Sequence, residues 1–156
     1  MSRTDLEGAP KPAEVTNAAD EYVLEHQIGF ILRKVHQRAS DIFGKVMGRF
    51  EVTPTQFAAL AKLHDLGECS QNTLGRAAAM DPATIFGVVS RLKRRGLVEQ
   101  RLDPADGRRI LLSLTPAGRG AVHEMRDAAP EVSRRTLDQL SEKEVRTLLN
   151  ILKKLQ

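Results

Sequence analysis

The residues of this chain best equipped to meet a partner chemically are arginines, and they gather late in the sequence. Lys93, Arg94 and Arg95 form one cluster, followed closely by Arg101, Arg108 and Arg109. A guanidinium is a planar fork of donors that fits phosphate oxygens and the guanine edge, so this grouping suits a polyanion. Immediately upstream, residues 82–95 sort into two helical faces. Ile85, Val88, Val89 and Leu92 fall at core spacing, which leaves Ala83, Thr84, Phe86, Gly87, Ser90, Arg91 and Arg94 facing outward. Phe86 in that outward set suits either contact with thymine methyl groups or half-buried packing. The cations at 93–95 also complement the negative end of a helix, which is a purely structural use for part of the cluster.

Catalytic chemistry finds no comparable support. The chain has no nucleophile elbow, P-loop, dinucleotide fingerprint or paired metal motif, so neither an enzyme nor a cofactor is expected. His26, His36, His64 and His123 show no close ligand pairing on one helix, and no metal site is expected from them. The lone cysteine, Cys69, excludes an internal disulfide and fits a reducing cytoplasm. Its place ahead of a helix start at Ser70 would allow a lowered thiol pKa and an oxidant response. Net charge is only +4, with 24 basic against 20 acidic residues, so position carries the argument for a polyanion and the total does not. Trp is absent and Tyr occurs once, which argues against base-stacking platforms for single strands. No apolar run reaches the roughly 18 to 20 residues of a membrane span, so no membrane partner is expected.

The elements that must position these arginines are marked by local signals. Residues 1–16 read as a disordered tail. From about Asp20, Leu24, Ile28, Ile31, Val35, Ile42 and Val46 trace a helical stripe of about 30 residues. Thr53-Pro54-Thr55-Gln56 is a capping box with Pro at the first helical position; Ser70 and Asp81-Pro82 open two shorter helices. Leu97 to Leu102 and Arg109 to Leu114 are β-prone runs joined by a Pro and Asp-Gly turn, which predicts a hairpin whose tip carries Arg101, Arg108 and Arg109. Thr115-Pro116 opens another helix, which Pro130 should kink or break, and Ser141 to Glu144 is a second capping box. The predicted fold is mainly α, a winged helix-turn-helix with a small antiparallel β wing. The predicted organisation is a first dimerisation helix at 17–50, a DNA-binding region at 51–115, and C-terminal dimerisation helices at 116–156. The helix over 82–95 would enter the major groove of double-stranded DNA.

Three segments give the chain a resemblance to the MarR family of transcriptional regulators. They are Leu92-Lys-Arg-Arg-Gly-Leu-Val98, Arg101-x-Asp103-Pro-x-Asp106-Gly-Arg108, and Leu114-Thr-Pro-Ala-Gly118. The resemblance implies an obligate homodimer on a palindromic operator, usually released by a small molecule. It further implies that Arg108 enters the minor groove while Asp106 holds the wing tip by a salt bridge. Phe86 and Gly87 depart from the small hydroxyl or basic residues common in relatives. Phe30, Arg33, His36, Arg38 and Phe43, with Phe57 from the next helix, place cations beside an apolar stretch. That part is similar to the family's repressors of aromatic-acid breakdown, which implies an aromatic carboxylate or its thioester as effector. Two other readings stay open: a metal- or oxidant-responsive regulator of the same fold, and a winged-helix module for protein contacts.

Overall fold

The computed structural model describes residues 22–156. The tail at 1–16 and the expected helix start near Asp20 therefore lie outside the described residues. The chain divides into two compact units between Lys34 and Val35. In the first, Leu24–His26 form a single 3₁₀ turn, and α1 (Ile28–Met47) begins only after Gln27, whose backbone is extended. Leu24 is thus not part of the helix, and the expected stripe of about 30 residues shortens to 20. Val23 supplies no side-chain cap at the 3₁₀ turn, and the extended Gln27 separates that turn from α1.

The second unit contains the rest of α1, then α2 (Pro54–Leu66), β1 (Glu68–Cys69), α3 (Gln71–Ala77), α4 (Pro82–Arg94), β2 (Val98–Leu102), β3 (Ile110–Leu114), α5 (Pro116–Thr136) and α6 (Glu142–Lys153). Each helix from α2 onward starts where its capping residue stands. Thr53, Ser70, Asp81, Thr115 and Ser141 each accept a hydrogen bond from the backbone N–H three residues on. Both expected capping boxes are present, Thr53 with Gln56 and Ser141 with Glu144. The wing is an antiparallel hairpin of β2 and β3, paired from Val98↔Leu114 to Leu102↔Ile110. β1 adds a third strand on the far side of β3, with Cys69 opposite Leu112.

Leu60 and Leu63 from α2, Leu74 from α3, Ile85 and Leu92 from α4, and Val122 and Met125 from α5 form the fully buried centre. Two glycines set how closely the elements approach. A Cβ on Gly75 would sit 3.1 Å from Ile85 Cγ2, which packs α3 tightly on α4. At Gly118 a Cβ would fall 2.0 Å from the Leu97 carbonyl oxygen, so α5 starts against the backbone that opens the wing. Pro130 does not break α5, which continues to Thr136. Its neighbours Ala128, Ala129 and Val132 pack on the core and hold the helix across the one missing N–H. α6 buries no residue, and Leu149 and Ile151 are exposed on it, as is Leu155 just beyond.

Candidate nucleic-acid interface

The outer face of α4 carries Ala83, Phe86, Gly87, Ser90, Arg91 and Arg94, while Ile85, Val88, Val89 and Leu92 are buried. Phe86 keeps 63% of its surface exposed, which removes the half-buried packing alternative. Thr84 behaves differently from its neighbours. Its hydroxyl donates to Asp81 Oδ2 at 2.6 Å while its backbone N–H donates to Asp81 Oδ1 at 2.9 Å. Those two bonds hold the Asp81 carboxyl below its ordinary range, and they spend the Thr84 hydroxyl proton on the cap. Arg91 folds back along the helix, so that a Cβ on Gly87 would stand 3.5 Å from its Nη2.

The basic cluster at the end of α4 divides its labour. Arg95 donates to the carbonyl oxygens of Phe50 and Glu51 at 2.9 and 2.7 Å, and so ties α4 to the turn after α1. Lys93 donates to Gln100 Oε1 on β2. Both are used by the fold. Arg91 and Arg94 line a cleft of about 330 Å³ with Glu51, Gln56 and Arg95.

On the wing, Arg101 is not at the tip. It stands in β2 and reaches over the middle strand to Glu68 on β1, with Nε and Nη2 each 2.5 Å from a carboxylate oxygen. That contact holds its guanidinium firmly protonated and straps the three strands together. The tip itself is built from two aspartates. Asp103 accepts from the Ala105 N–H at 2.9 Å, and Asp106 accepts from the Arg108 N–H at 3.1 Å. The salt bridge expected at Asp106 is replaced by that backbone bond; the ion pair of the tip is Asp103 with Arg109, at 3.7 Å. Asp103 could be found from the sequence as the first residue of the turn, but Glu68 could not, because a two-residue strand leaves no periodic signal. Arg108 is exposed and has no ion-pair partner among the described residues.

The expected effector residues belong to both units. Phe30 and Arg33 belong to the first unit, where Lys34 Nζ stands 5.8 Å from the centre of the Phe30 ring. In the second, His36 and Phe43 line a cleft of about 160 Å³ with Ala39, Ser40, Pro54 and Val132. Phe57 packs behind it, its ring centre 5.9 Å from that of Phe43. Arg38 is turned elsewhere. Its guanidinium donates to the Arg135 and Thr136 carbonyl oxygens at the end of α5, and pairs with Asp138 at 2.8 Å. It therefore satisfies a helix C-terminus, where the sequence suggested that it meets an effector carboxylate. Cys69 is buried, and burial together with the Glu68 carboxylate pushes its thiol up, opposite to the lowering its sequence position suggested.

Residues 52–110 match the model of the MarR family. The repressor NicR of Pseudomonas putida is 36% identical over 94% of this chain and 91% of its own length. The chain belongs to the MarR family. It is thus a non-enzymatic, DNA-binding transcriptional regulator, and the winged helix-turn-helix expected from its elements is its fold. A probable transcriptional regulator from Pseudomonas aeruginosa superimposes with a TM-score of 0.82 at 49% identity, covering 86% of this MarR-family chain and all of that one. BpsR of Bordetella bronchiseptica, whose DNA binding is regulated by 6-hydroxynicotinic acid, superimposes at 0.81 with 37% identity over 86% and 96% of the two chains. At 22% identity, a cysteine-to-serine mutant of MarR of E. coli bound to operator DNA shares the fold with a TM-score of 0.79, over 86% of this chain and 99% of its own.

Proposed function

We propose that this MarR-family regulator is a cytoplasmic, homodimeric repressor of an inverted-repeat operator, released by a small aromatic acid. The observation that carries the DNA reading is the exposed face of α4, ending in Arg91 and Arg94, beside a wing whose Arg108 is unpaired among the described residues. Thr84, Phe86, Gly87, Ser90, Arg91 and Arg94 would face the major groove. Arg108 would reach the adjacent minor groove or backbone, with Asp106 and Arg109 shaping the tip and Arg101 stiffening the sheet behind it. The dimer reading rests on α6, an amphipathic helix with no buried residue whose apolar side has no cover among the described residues.

The cleft at His36 and Phe43 supports the effector reading. An apolar cavity of about 150 Å³ holds one benzene-sized ring, so the observed space suits the acid itself better than a coenzyme A thioester. His36 and Ser40, which line it, would meet the carboxylate, and 6-hydroxynicotinic acid regulates the DNA binding of the related BpsR. Release follows if the acid binds more tightly to a dimer whose recognition helices are wrongly spaced for the two half-sites. The test is to titrate 6-hydroxynicotinate, benzoate and hydroxycinnamate, and their coenzyme A esters, against the protein–operator complex by fluorescence anisotropy. A hundredfold loss of DNA affinity, about 2.7 kcal/mol of coupling, is the expected response to one of the free acids. Failure of all of them to release the operator overturns the effector reading. Failure to bind any genomic palindrome overturns the DNA reading and favours a protein-contact module.

A further inference from the structure

Phe86 stands outside the hydrophobic core. It is the fifth residue of α4, in the half of the helix that reaches base edges, and it is 63% exposed while Ile85, Val88, Val89 and Leu92 are at 1 to 3%. Around it the outer face has few free donors. Ala83 presents a methyl group, Gly87 has no side chain, and the Thr84 hydroxyl donates to Asp81. Arg91 lies back over Gly87, and Arg94 follows a turn later. The first turn of this face, through Phe86, is therefore apolar, and the polar groups follow it: the Arg91 guanidinium over Gly87, the Ser90 hydroxyl and Arg94. Phosphates suit the cationic end. The apolar part would strip water from any amino or carbonyl group set against it without returning a hydrogen bond. Thymine alone among the bases offers a methyl group in the major groove.

We propose that Phe86 determines operator specificity by packing its ring on a thymine C5-methyl group in each half-site. The assignment rests on the DNA reading above, and it names what that face selects: one fixed T·A pair per half-site, recognised by contact with the methyl group.

The test begins by selecting operators from a random-sequence duplex library with the full-length protein, then replacing each selected dT singly by deoxyuridine, which removes only the methyl group. One position per half-site should respond. Burial of one methyl group corresponds to about a fourfold change in affinity, so replacement in both half-sites should weaken binding about fifteenfold. Phe86→Ala should bind the unmodified operator more weakly by a similar factor and show no further loss with deoxyuridine. Because Phe86 is exposed, the thermal unfolding of this variant should match wild type, which separates impaired recognition from impaired folding. 5-Methylcytosine at the responding position should bind wild type more tightly than cytosine does. An operator that is selected but insensitive to deoxyuridine at every position overturns the assignment, as does a Phe86→Ala protein that keeps the wild-type penalty. If no sequence is enriched at all, the DNA reading fails and takes this one with it.

Discussion

Arginines that look equivalent along the chain have different work to do. Arg101 is held by Glu68, Arg95 by two carbonyl oxygens and Arg38 by the end of α5, whereas Arg108 is exposed with no ion pair among the described residues. Arg108→Ala should therefore weaken binding to every operator and lower the salt slope by about one unit for each phosphate left without its cation. Arg101→Ala should leave that slope unchanged and act through a looser sheet. Anisotropy titrations across a salt series compare the two; equal slopes for wild type and Arg108→Ala would take the wing tip out of the interface. Cys69 makes a second prediction at this scale. With its thiol pushed up by burial and by Glu68, little thiolate is present at neutral pH. Thiol reagents should modify the native protein much more slowly than the unfolded chain at pH 7, with the rate climbing only as pH passes above the usual thiol range. Rapid modification at neutral pH would reopen the oxidant-responsive reading.

Where a boundary depends on a few neighbouring residues, the sequence was legible; where it depends on distant packing, it was not. The starts of α2 to α6 follow from Thr53, Ser70, Asp81, Thr115 and Ser141, whose oxygens act on an N–H three residues away. β1 exists because β3 lies beside it, and α5 survives Pro130 because Ala128, Ala129 and Val132 have a core to rest on. Gly118 is the same lesson at the scale of one atom, since only the fold brings the Leu97 carbonyl to it. Gly118→Ala should cost about 3 kcal/mol in urea unfolding, because backbone must move to admit the methyl group. Gly120→Ala in the same helix meets nothing within 4 Å and should be neutral or stabilising. Acid should loosen the end of α5. Hydrogen bonds from Arg134 and Arg135 lower the Glu131 carboxyl from 4.5 to about 2. A depressed carboxylate contributes its stability above its unfolded pKa and loses it as pH falls through the folded one. Between about pH 4.5 and 2 the Glu131→Gln protein should therefore lose less stability than wild type, a difference that unfolding curves at stepped pH will show.

As a whole molecule, the chain leaves apolar helix faces uncovered among its described residues, on α6 and on the first half of α1, where Ile28, Ile31, Leu32 and Val35 are exposed. α6 buries nothing, and the grooves beside it are lined by Leu137, Leu140, Val145, Leu148, Leu149 and Ile151. Sedimentation at micromolar concentration should show a dimer, and Leu149→Arg should shift it to monomer and abolish operator binding while α2 to α5 keep their helicity. A well-folded wild-type monomer under these conditions would remove the dimer from the mechanism. The way α4 is anchored has a further consequence for how such regulators diversify. Its start is fixed by Asp81, its depth by Gly75 and its inner face by Ile85, Val88, Val89 and Leu92. None of these belongs to the set that looks outward. Ala83, Phe86 and Ser90 are consequently free to drift under mutation with little penalty in stability, and a lineage can acquire a new operator without first acquiring a new scaffold.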